Sequence, residues 1–477
     1  MKPYARVSAT VVKVMLHKNE IYEGIVEGLG TDGEGILKID GTTVFVPFCV
    51  IGEKVKFKVL KVKNYIAYGK LTEILIPSVL RVEPHCPVFT KCGGCDIQHV
   101  KYDAQLHFKR TVVQNALLKI GDIGFRVNDT VPCKNEYGYR NKLALPIGNV
   151  NGETVVGFYA PRSHRIVPID SCAIQAAWAE HIISAVKQFA ATGVQGYDEE
   201  SGEGILRHIV VREVQGKFII ALVCTEKIDL IPFAEILKKK FNVFTLLLNI
   251  NSENTNAIFG KSFYTVYGEG FFDAQEFGIK YRAGANTFLQ VNDDMRTKLY
   301  SAVLDEADAG VTAIDLYSGG GLLTALLAKK CGCAYGIEVV EEASRCADEL
   351  KEQNGLSGKM FNICGKVEDE IERVFAGTKG KRIIVCDPPR KGIERSAVTA
   401  IKNSDADKII YISCNPATLA RDLGLLTGTL IERDGALVKC HSPESDYEIT
   451  GITPFDMFPQ TRHVETLVVL KRRKIRR

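Results

Sequence analysis

The 477-residue chain contains no run of eighteen apolar residues and no signal-peptide pattern, whereas a bilayer-spanning helix needs about 20 apolar residues. It shows no convincing internal repeat or low-complexity stretch, and its formal net charge of +4 is slight. The lack of a long apolar run argues against a membrane-spanning helix. The lack of an internal repeat argues against a repeat architecture. We therefore expect a soluble cytoplasmic protein, independent of membranes and of any evident obligate protein partner. A chain of this length predicts two to four domains.

Cys414 is the most informative residue, in the segment Ile412-Ser413-Cys414-Asn415-Pro416 that follows an apolar run at 408–411. The run predicts a buried strand, and Pro416 is suited to the first position of a helix. In open α/β sheets chemistry gathers at the carboxyl ends of strands. A helix amino terminus also favours the thiolate form of a cysteine. Several of the fourteen cysteines are expected to be inert core residues, but this one is placed to act as a nucleophile.

The surrounding pattern predicts a doubly wound domain that binds a nucleoside cofactor. Residues 311–317 read as a strand, Ser318-Gly319-Gly320-Gly321 as a turn, and 322–328 as a helix. A second strand ends in Glu338, nineteen residues beyond Gly319. This spacing is typical of a carboxylate that binds the ribose hydroxyls of a nucleotide-like cofactor. A third strand ends in Asp387-Pro388-Pro389-Arg390. A plain tight turn is the alternative interpretation of the glycine loop.

Three motifs resemble the RNA uracil-C5-methyltransferases: 387–390, 413–418, and 455–461 with Glu465. The resemblance covers nearly the whole chain and is greatest to the type that acts on 23S ribosomal RNA. It implies methyl transfer from S-adenosylmethionine to uracil C5. Cys414 would add to C6 of the base, and Glu465 would then remove the C5 proton. An exposed glutamate on an edge strand is the alternative for Glu465.

The resemblance also implies a set of cofactor contacts. Gln290, Tyr317, Glu338 and Asp387 match family positions that line the S-adenosylmethionine pocket. The match departs from the family pattern at three places, where Ser318, Leu322 and Gly365-Lys366 replace the usual residues. None of these departures affects the nucleophile or the base.

Cys86, Cys92 and Cys95 form a C-x5-C-x2-C pattern, which favours metal or cluster ligation over disulfides in a chain without secretory features. The spacing differs from the C-x3-C-x2-C of radical enzymes. A fourth ligand would be Cys172 or Cys133. The resemblance selects Cys172 and a [4Fe-4S] cluster. Structural zinc uses the same thiolates and stays open on the residues alone.

The first 75 residues predict a small β-barrel, because glycine turns separate short alternating strands. They resemble a TRAM domain, an OB-like RNA-binding fold, with lysines of 54–63 on one face. A solvated outer face is the alternative. Arg140 and Lys142 are candidate RNA contacts. Residues 471–477 contain six basic side chains and predict either an RNA-binding arm or a plain soluble tail.

Together these features predict a multidomain α/β protein in three parts. Residues 1–75 form the TRAM-like barrel, 76–285 a central α+β domain with the iron–sulfur site and RNA contacts, and 286–477 a Rossmann-like methyltransferase domain. The favoured partner is large-subunit ribosomal RNA. One alternative is a tRNA enzyme, although tRNA enzymes of this kind are expected to lack the barrel and the cluster. The other alternative is an RNA-binding iron–sulfur protein without activity.

Overall fold

The computed structural model describes residues 15–150 and 152–473 and divides them into two compact units. The first unit contains the chain up to His85 together with residues 95–105. The second contains residues 86–94 and the chain from Leu106 onward. The three-domain boundaries stay a prediction. Residues 1–14 of the predicted barrel and residues 474–477 of the predicted basic tail lie outside the described residues.

The first unit is a six-stranded barrel around an apolar core. The order β1-β5-β6-β4-β3-β2 closes on itself, because β1 and β2 are consecutive stretches of one extended segment. The Glu27 N–H bonds the Ile36 carbonyl at 2.9 Å, which joins this segment to β3. The strands are β1 (Ile21–Ile25), β2 (Gly28–Leu29), β3 (Gly35–Ile39), β4 (Thr42–Val46), β5 (Lys54–Lys63) and β6 (Ile66–Ile76).

The second unit contains a seven-stranded sheet in the order β13-β12-β11-β10-β7-β8-β9. Alternate apolar residues of this sheet pack against α2 and α3 in one core, so two amphipathic helices cover that face. The elements are α1 (Tyr102–Ala116), β7 (Lys142–Val150), β8 (Glu153–Tyr159), β9 (Ile166–Pro168), α2 (Trp178–Ala190), β10 (Leu206–Val214), β11 (Lys217–Cys224), α3 (Ile231–Lys238), β12 (Phe244–Ile250) and β13 (Ser262–Tyr267). The hairpin of β14 (Phe271–Glu276) and β15 (Ile279–Gly284) follows.

A second seven-stranded sheet has the order β18-β17-β16-β19-β20-β24-β23. Its elements are α4 (Asp293–Glu306), β16 (Thr312–Leu316), α5 (Leu322–Cys331), β17 (Cys333–Glu338), α6 (Glu341–Gln353), β18 (Met360–Cys364), α7 (Val367–Gly377), β19 (Arg382–Cys386), α8 (Arg395–Asn403), β20 (Lys408–Ser413), α9 (Pro416–Thr427), the hairpin β21 (Leu430–Arg433) and β22 (Ala436–Lys439), β23 (Tyr447–Phe455) and β24 (Glu465–Arg472). Across the described ranges, no helix has the length and apolar character to cross a membrane.

Strand direction brings the predicted residues of this sheet to one edge. β16 to β20 are parallel, so their carboxyl ends lie together. β24 runs antiparallel to β20, with Ser413 opposite Thr466. The amino end of β24 therefore meets the carboxyl end of β20. This register places Glu465 beside Cys414, although 51 positions separate them in the chain.

Candidate active site

A rigid turn between β20 and α9 holds Cys414. Asn415 caps α9, since its side chain accepts a backbone N–H of the first helical turn at 3.0 Å. The Ser413 hydroxyl accepts the Asn415 N–H at 3.1 Å. The Asn415 amide also donates to the Arg390 carbonyl at 2.9 Å, which ties the turn to the loop after β19. The predicted sequence of strand, cysteine and proline-opened helix is confirmed.

The environment of Cys414 opposes the thiolate. Burial raises the pKa of the Cys414 thiol to about 11, the negative charges of Glu465 and Asp387 raise it further, and Arg390 lowers it. We expected the helix amino terminus to favour the thiolate. That expectation is wrong for the free protein, because burial and two carboxylates outweigh a partial positive charge. The predicted role of Cys414 as a nucleophile therefore requires a group that accepts the thiol proton.

Glu465 is the first residue of β24 and is only 3% exposed, so it is not an exposed edge residue. Its Oε2 is buried and has no hydrogen-bond partner among the described residues. Burial and then the charge of Asp387 raise the pKa of Glu465 well above its usual value, against the effect of Arg390. A buried carboxyl without a full set of partners is costly. The carboxyl of Glu465, which lies beside the Cys414 thiol, therefore binds a proton readily.

Two further carboxyls lie at the ends of neighbouring strands. Burial raises the pKa of Asp387 to about 7. The pKa of Asp315 is also raised to about 7, by burial and then by Asp387 and Glu338, although the Thr324 hydroxyl donates to its Oδ2 at 2.6 Å. Sequence analysis missed Asp315. Its only signal was an acid within the apolar run of β16, where burial is expected.

The glycine turn after β16 is open on one side and contacts a further carboxyl, that of Glu338. Glu338 Oε2 accepts the Gly319 N–H at 2.9 Å. A side chain built on Gly319 or Gly320 would meet no atom within 4 Å, so that side of the turn is open. Tyr317 begins the turn with φ 65°, a left-handed conformation that is strained for a tyrosine. The ring packs against the core of the sheet, and its pKa is raised by burial and then by Cys386.

The segment before α4 and α4 itself each add one residue to the site. Gln290 is buried, and its carbonyl accepts hydrogen bonds from Asn141 at 3.2 Å and Arg296 at 3.1 Å. Tyr300 of α4 lies near the carboxyls, since burial and then Asp387 and Asp315 raise its pKa, against the effect of Arg296. No sequence signal distinguished Tyr300 from other tyrosines.

A buried ion pair fixes the loop that leads into β24. Lys109 of α1 is fully buried, and its ammonium pairs with the Asp456 carboxylate and donates to the Phe458 carbonyl at 2.9 Å. The same loop accepts hydrogen bonds from Tyr139 and Asn292. Lys109 and Asp456 are 347 residues apart, which is why sequence analysis missed the pair.

Several basic side chains lie close to one another around His463 and Lys142. The pKa of His463 is lowered to about 4 by burial and then by Arg390, with Arg140 acting in the same direction. The pKa of Lys142 is lowered to about 8 by burial, Arg212 and Arg140. Lys142 and Arg212 are direct register partners on β7 and β10. Arg140 and Lys142 stay predicted RNA contacts.

The structure does not support the predicted metal site. Burial raises the pKa of Cys92 to about 11, with Cys172 and Cys86 acting in the same direction. Across residues 15–150 and 152–473, no group of three or more His, Cys, Asp or Glu side chains has an arrangement that could hold a metal ion. Cys95 belongs to the first unit.

Cys133, the alternative fourth ligand, lies in the second unit. Its sulfur accepts a hydrogen bond from the Asn292 amide at 3.2 Å. Asn292 also caps α4. Cys133 therefore contributes to the packing around the active-site loop.

Comparison with known proteins identifies the family. Residues 378–473 match the tRNA (Uracil-5-)-methyltransferase family, and residues 17–72 match the TRAM domain. The chain is 38% identical over 475 residues to a protein of Clostridium acetobutylicum named as an RNA methyltransferase, covering 96% of this chain and 98% of that protein. The chain belongs to the RNA uracil-C5-methyltransferase family. An RNA methyltransferase of Listeria innocua is 36% identical over 465 residues, covering 96% of this chain and 98% of the relative.

A solved structure agrees with this family assignment. The tRNA (uracil-54, C5)-methyltransferase of Pyrococcus abyssi, in complex with S-adenosyl-L-homocysteine, has a TM-score of 0.74 and 25% identity. The match covers 94% of this chain and 99% of that one. The predicted TRAM domain, methyltransferase fold and S-adenosylmethionine cofactor are thereby confirmed. The chain is an RNA methyltransferase, which excludes the alternative without enzymatic activity.

The strand-end residues fit this cofactor. Glu338 is held by the glycine turn in a position that suits ribose hydroxyls. The open side of Gly319 and Gly320 leaves room for a ligand. The carboxyls of Asp315 and Asp387 suit a cationic sulfonium group, because a nearby positive charge would offset their unfavourable burial.

We predict that Lys109→Met destabilises the protein by about 3–5 kcal/mol, because it leaves the Asp456 carboxylate buried and unpaired. Urea unfolding measures the effect. The double variant Lys109→Met/Asp456→Leu should recover most of the loss, since neither charge then remains buried. Lys187→Met is the matched control, because its partner Asp170 is exposed. Equal destabilisation by Lys109→Met and Lys187→Met would contradict the prediction.

Proposed function

We propose that this enzyme forms 5-methyluridine in 23S ribosomal RNA through a covalent adduct between Cys414 and uracil C6. One observation carries the mechanism. The Cys414 thiol and the buried carboxyl of Glu465, whose Oε2 has no hydrogen-bond partner among the described residues, lie on adjacent strand ends, next to the carboxyls that suit the cofactor. A nucleophile, a proton acceptor and a methyl donor site are the three parts that the reaction needs.

The covalent step activates a carbon that is otherwise unreactive. Uracil C5 is a poor nucleophile, but addition of the Cys414 sulfur to C6 moves the electron pair of the C5–C6 double bond into an enolate. S-adenosylmethionine would supply an electrophilic methyl group to C5 of the enolate, and the electron pair of its S–CH3 bond would stay on sulfur, which leaves S-adenosylhomocysteine. Glu465 then accepts the C5 proton, the double bond re-forms, and the sulfur leaves C6 as a thiolate.

The raised pKa values determine how the thiol is activated. Cys414, Glu465 and Asp387 would repel one another if all three were charged, so their protons are shared as in a coupled set. With the thiol protonated at neutral pH, loss of its proton accompanies attack on the base. The neighbouring carboxyls are the proton acceptors in reach. A pKa of about 7 makes Asp387 a suitable acceptor near neutral pH.

A tRNA substrate is the second candidate. The Pyrococcus abyssi structure is named as a tRNA enzyme and matches 94% of this chain. The 6% of this chain outside the match is shorter than the 75-residue barrel region, so the match includes part of the barrel. Presence of a barrel therefore does not separate ribosomal RNA enzymes from tRNA enzymes, contrary to our expectation. The proposal of 23S ribosomal RNA is supported by the sequence resemblance alone.

RNA containing 5-fluorouridine should trap Cys414 as a stable adduct, because fluorine at C5 leaves no proton for Glu465 to remove. We expect denaturing gels to show this adduct with a 23S ribosomal RNA transcript and S-adenosylmethionine. Cys414→Ala should abolish the adduct, whereas Cys440→Ala should retain it. Adduct formation by Cys414→Ala would refute the mechanism. An adduct with tRNA transcripts alone would replace 23S ribosomal RNA by tRNA as the substrate.

Glu465→Gln should separate addition from release. The amide cannot accept the C5 proton, so turnover should fall about 10²–10⁴-fold, the usual contribution of positioned proton transfer. A methylated protein–RNA adduct should accumulate and be visible with radiolabelled methyl donor. Glu448→Gln is the matched control, since Glu448 lies in the same sheet on β23 and is exposed. Release of free product at the normal rate would assign the base to another residue.

The [4Fe-4S] cluster at Cys86, Cys92, Cys95 and Cys172 is a separate proposal that rests on the cysteine pattern and the family resemblance. No step above depends on it. Anaerobically purified protein should then contain about four irons per chain. Cys172→Ala should lose the iron and Cys133→Ala should keep it. Stoichiometric zinc, or protein without metal, would refute the proposal.

A further inference from the structure

The outer face of the first unit carries an aromatic pair of one exposed and one half-buried ring. Phe45 of β4 and Tyr68 of β6 are direct register partners. Their rings stack with centroids 5.9 Å apart and an interplanar angle of 27°. Tyr68 is 47% exposed, and Ile66 on the same face is 42% exposed. We call this surface the aromatic platform, meaning Phe45, Ile66 and Tyr68.

Lysines surround the aromatic platform because of a β-bulge. A regular strand would send the even-numbered Lys58 and the odd-numbered Lys61 and Lys63 to opposite faces. The pairing of β5 with β6 shifts between Val59 and Lys61, which brings these lysines to one face. Lys61 then lies opposite Tyr68, Lys63 opposite Ile66, and Lys58 opposite Lys70. On the other side, Lys38 lies opposite Thr43, a neighbour of Ile66.

These lysines differ from the lysines at the other end of β5. Lys54 pairs with Glu23 at 3.1 Å and Lys56 with Glu73 at 3.1 Å. Within residues 15–150, none of the lysines around the aromatic platform forms an ion pair with an acid; these are Lys38, Lys58, Lys61, Lys63 and Lys70. Direct opposition of two lysines weakens a sheet. The positive charges of these lysines are not paired with acids and lie around the rings of Phe45 and Tyr68. This surface is therefore complementary to an anionic ligand with flat apolar groups.

We propose that the aromatic platform binds single-stranded RNA, with a base stacked on Tyr68 and phosphates at the surrounding lysines. A duplex hides the faces of its bases within its own stack, whereas unpaired bases are free to stack on an aromatic ring. This proposal deepens the proposed function, because it names how the same RNA is held. It also adds base stacking to the lysine face that the sequence predicted for residues 54–63.

The test uses the full-length Cys414→Ala protein and a fluorescent single-stranded RNA of about 12 nucleotides, within the usual site size of about 4–16 per OB fold. The RNA contains only adenosine and cytidine, so it offers no target for the catalytic site. Tyr68→Leu should weaken binding about 5- to 100-fold, as expected from loss of one base–aromatic stack. Tyr267→Leu is the matched control, since Tyr267 of β13 also stacks on a phenylalanine beside a lysine. Its affinity should stay unchanged.

Salt dependence tests the lysines separately. Lys61→Gln/Lys63→Gln should reduce the slope of log affinity against log salt by about 1.4, since each phosphate contact with single-stranded RNA contributes about 0.7. Lys54→Gln/Lys56→Gln should change it less, because acids already pair with these lysines. A duplex of the same sequence should bind more weakly and be insensitive to Tyr68→Leu.

Equal affinities for Tyr68→Leu and the parent protein would overturn the stacking proposal, as would equal slopes for the two lysine pairs. Thermal unfolding of each variant shows whether the barrel stays folded. The outcome is independent of the catalytic proposal, which rests on adduct formation with 5-fluorouridine RNA by the wild-type enzyme. Loss of that adduct with intact platform binding would reject the mechanism and keep the platform.

Discussion

The antiparallel pairing of β24 with β20 is the constraint on which the active site depends. Because β24 enters the sheet at the edge where the parallel strands end, its first residue meets the turn that follows β20. A parallel strand in the same place would put Glu465 at the opposite edge of the sheet, far from Cys414. One reversal of strand direction thus joins the proposed nucleophile and the proposed proton acceptor.

Burial of several acids at this edge is unfavourable, and the surrounding structure offsets it only in part. Thr324 donates to Asp315, the glycine turn donates to Glu338, and Arg390 opposes the charge near Glu465. Glu465 retains a buried oxygen without a partner. Such a site favours the arrival of positive charge and of protons, both of which the proposed reaction brings to it.

Support for this edge comes from distant parts of the chain. The Lys109–Asp456 pair and the hydrogen bonds from Tyr139 and Asn292 hold the loop before β24. The loop carries the family motif, but its position depends on residues from α1 and from the segment before α4. The catalytic residues and the central part of the chain therefore form one structural unit.

Local patterns were sufficient for much of the fold. The apolar run before Cys414, the proline after it and the spacing from Gly319 to Glu338 predicted strand, helix and strand end, because periodicity and capping act between near neighbours. Alternating strands and glycine turns likewise predicted the barrel. Local patterns could not reveal Tyr300 or the pair of Lys109 with Asp456, since these contacts join residues that no spacing rule relates.

By itself, the sequence determined many of the element types and the family, and it singled out Cys414 as the proposed nucleophile, since those inferences depend on residue identity and short spacings. Only the tertiary structure decided the protonation of Cys414, because burial and the approach of Glu465 and Asp387 outweigh the local effect of the helix. The tertiary structure also decided which face the lysines of β5 occupy, because a bulge shifts the alternation by one residue. Both results come from contacts across strands, where electrostatics and pairing register act between residues far apart in the chain.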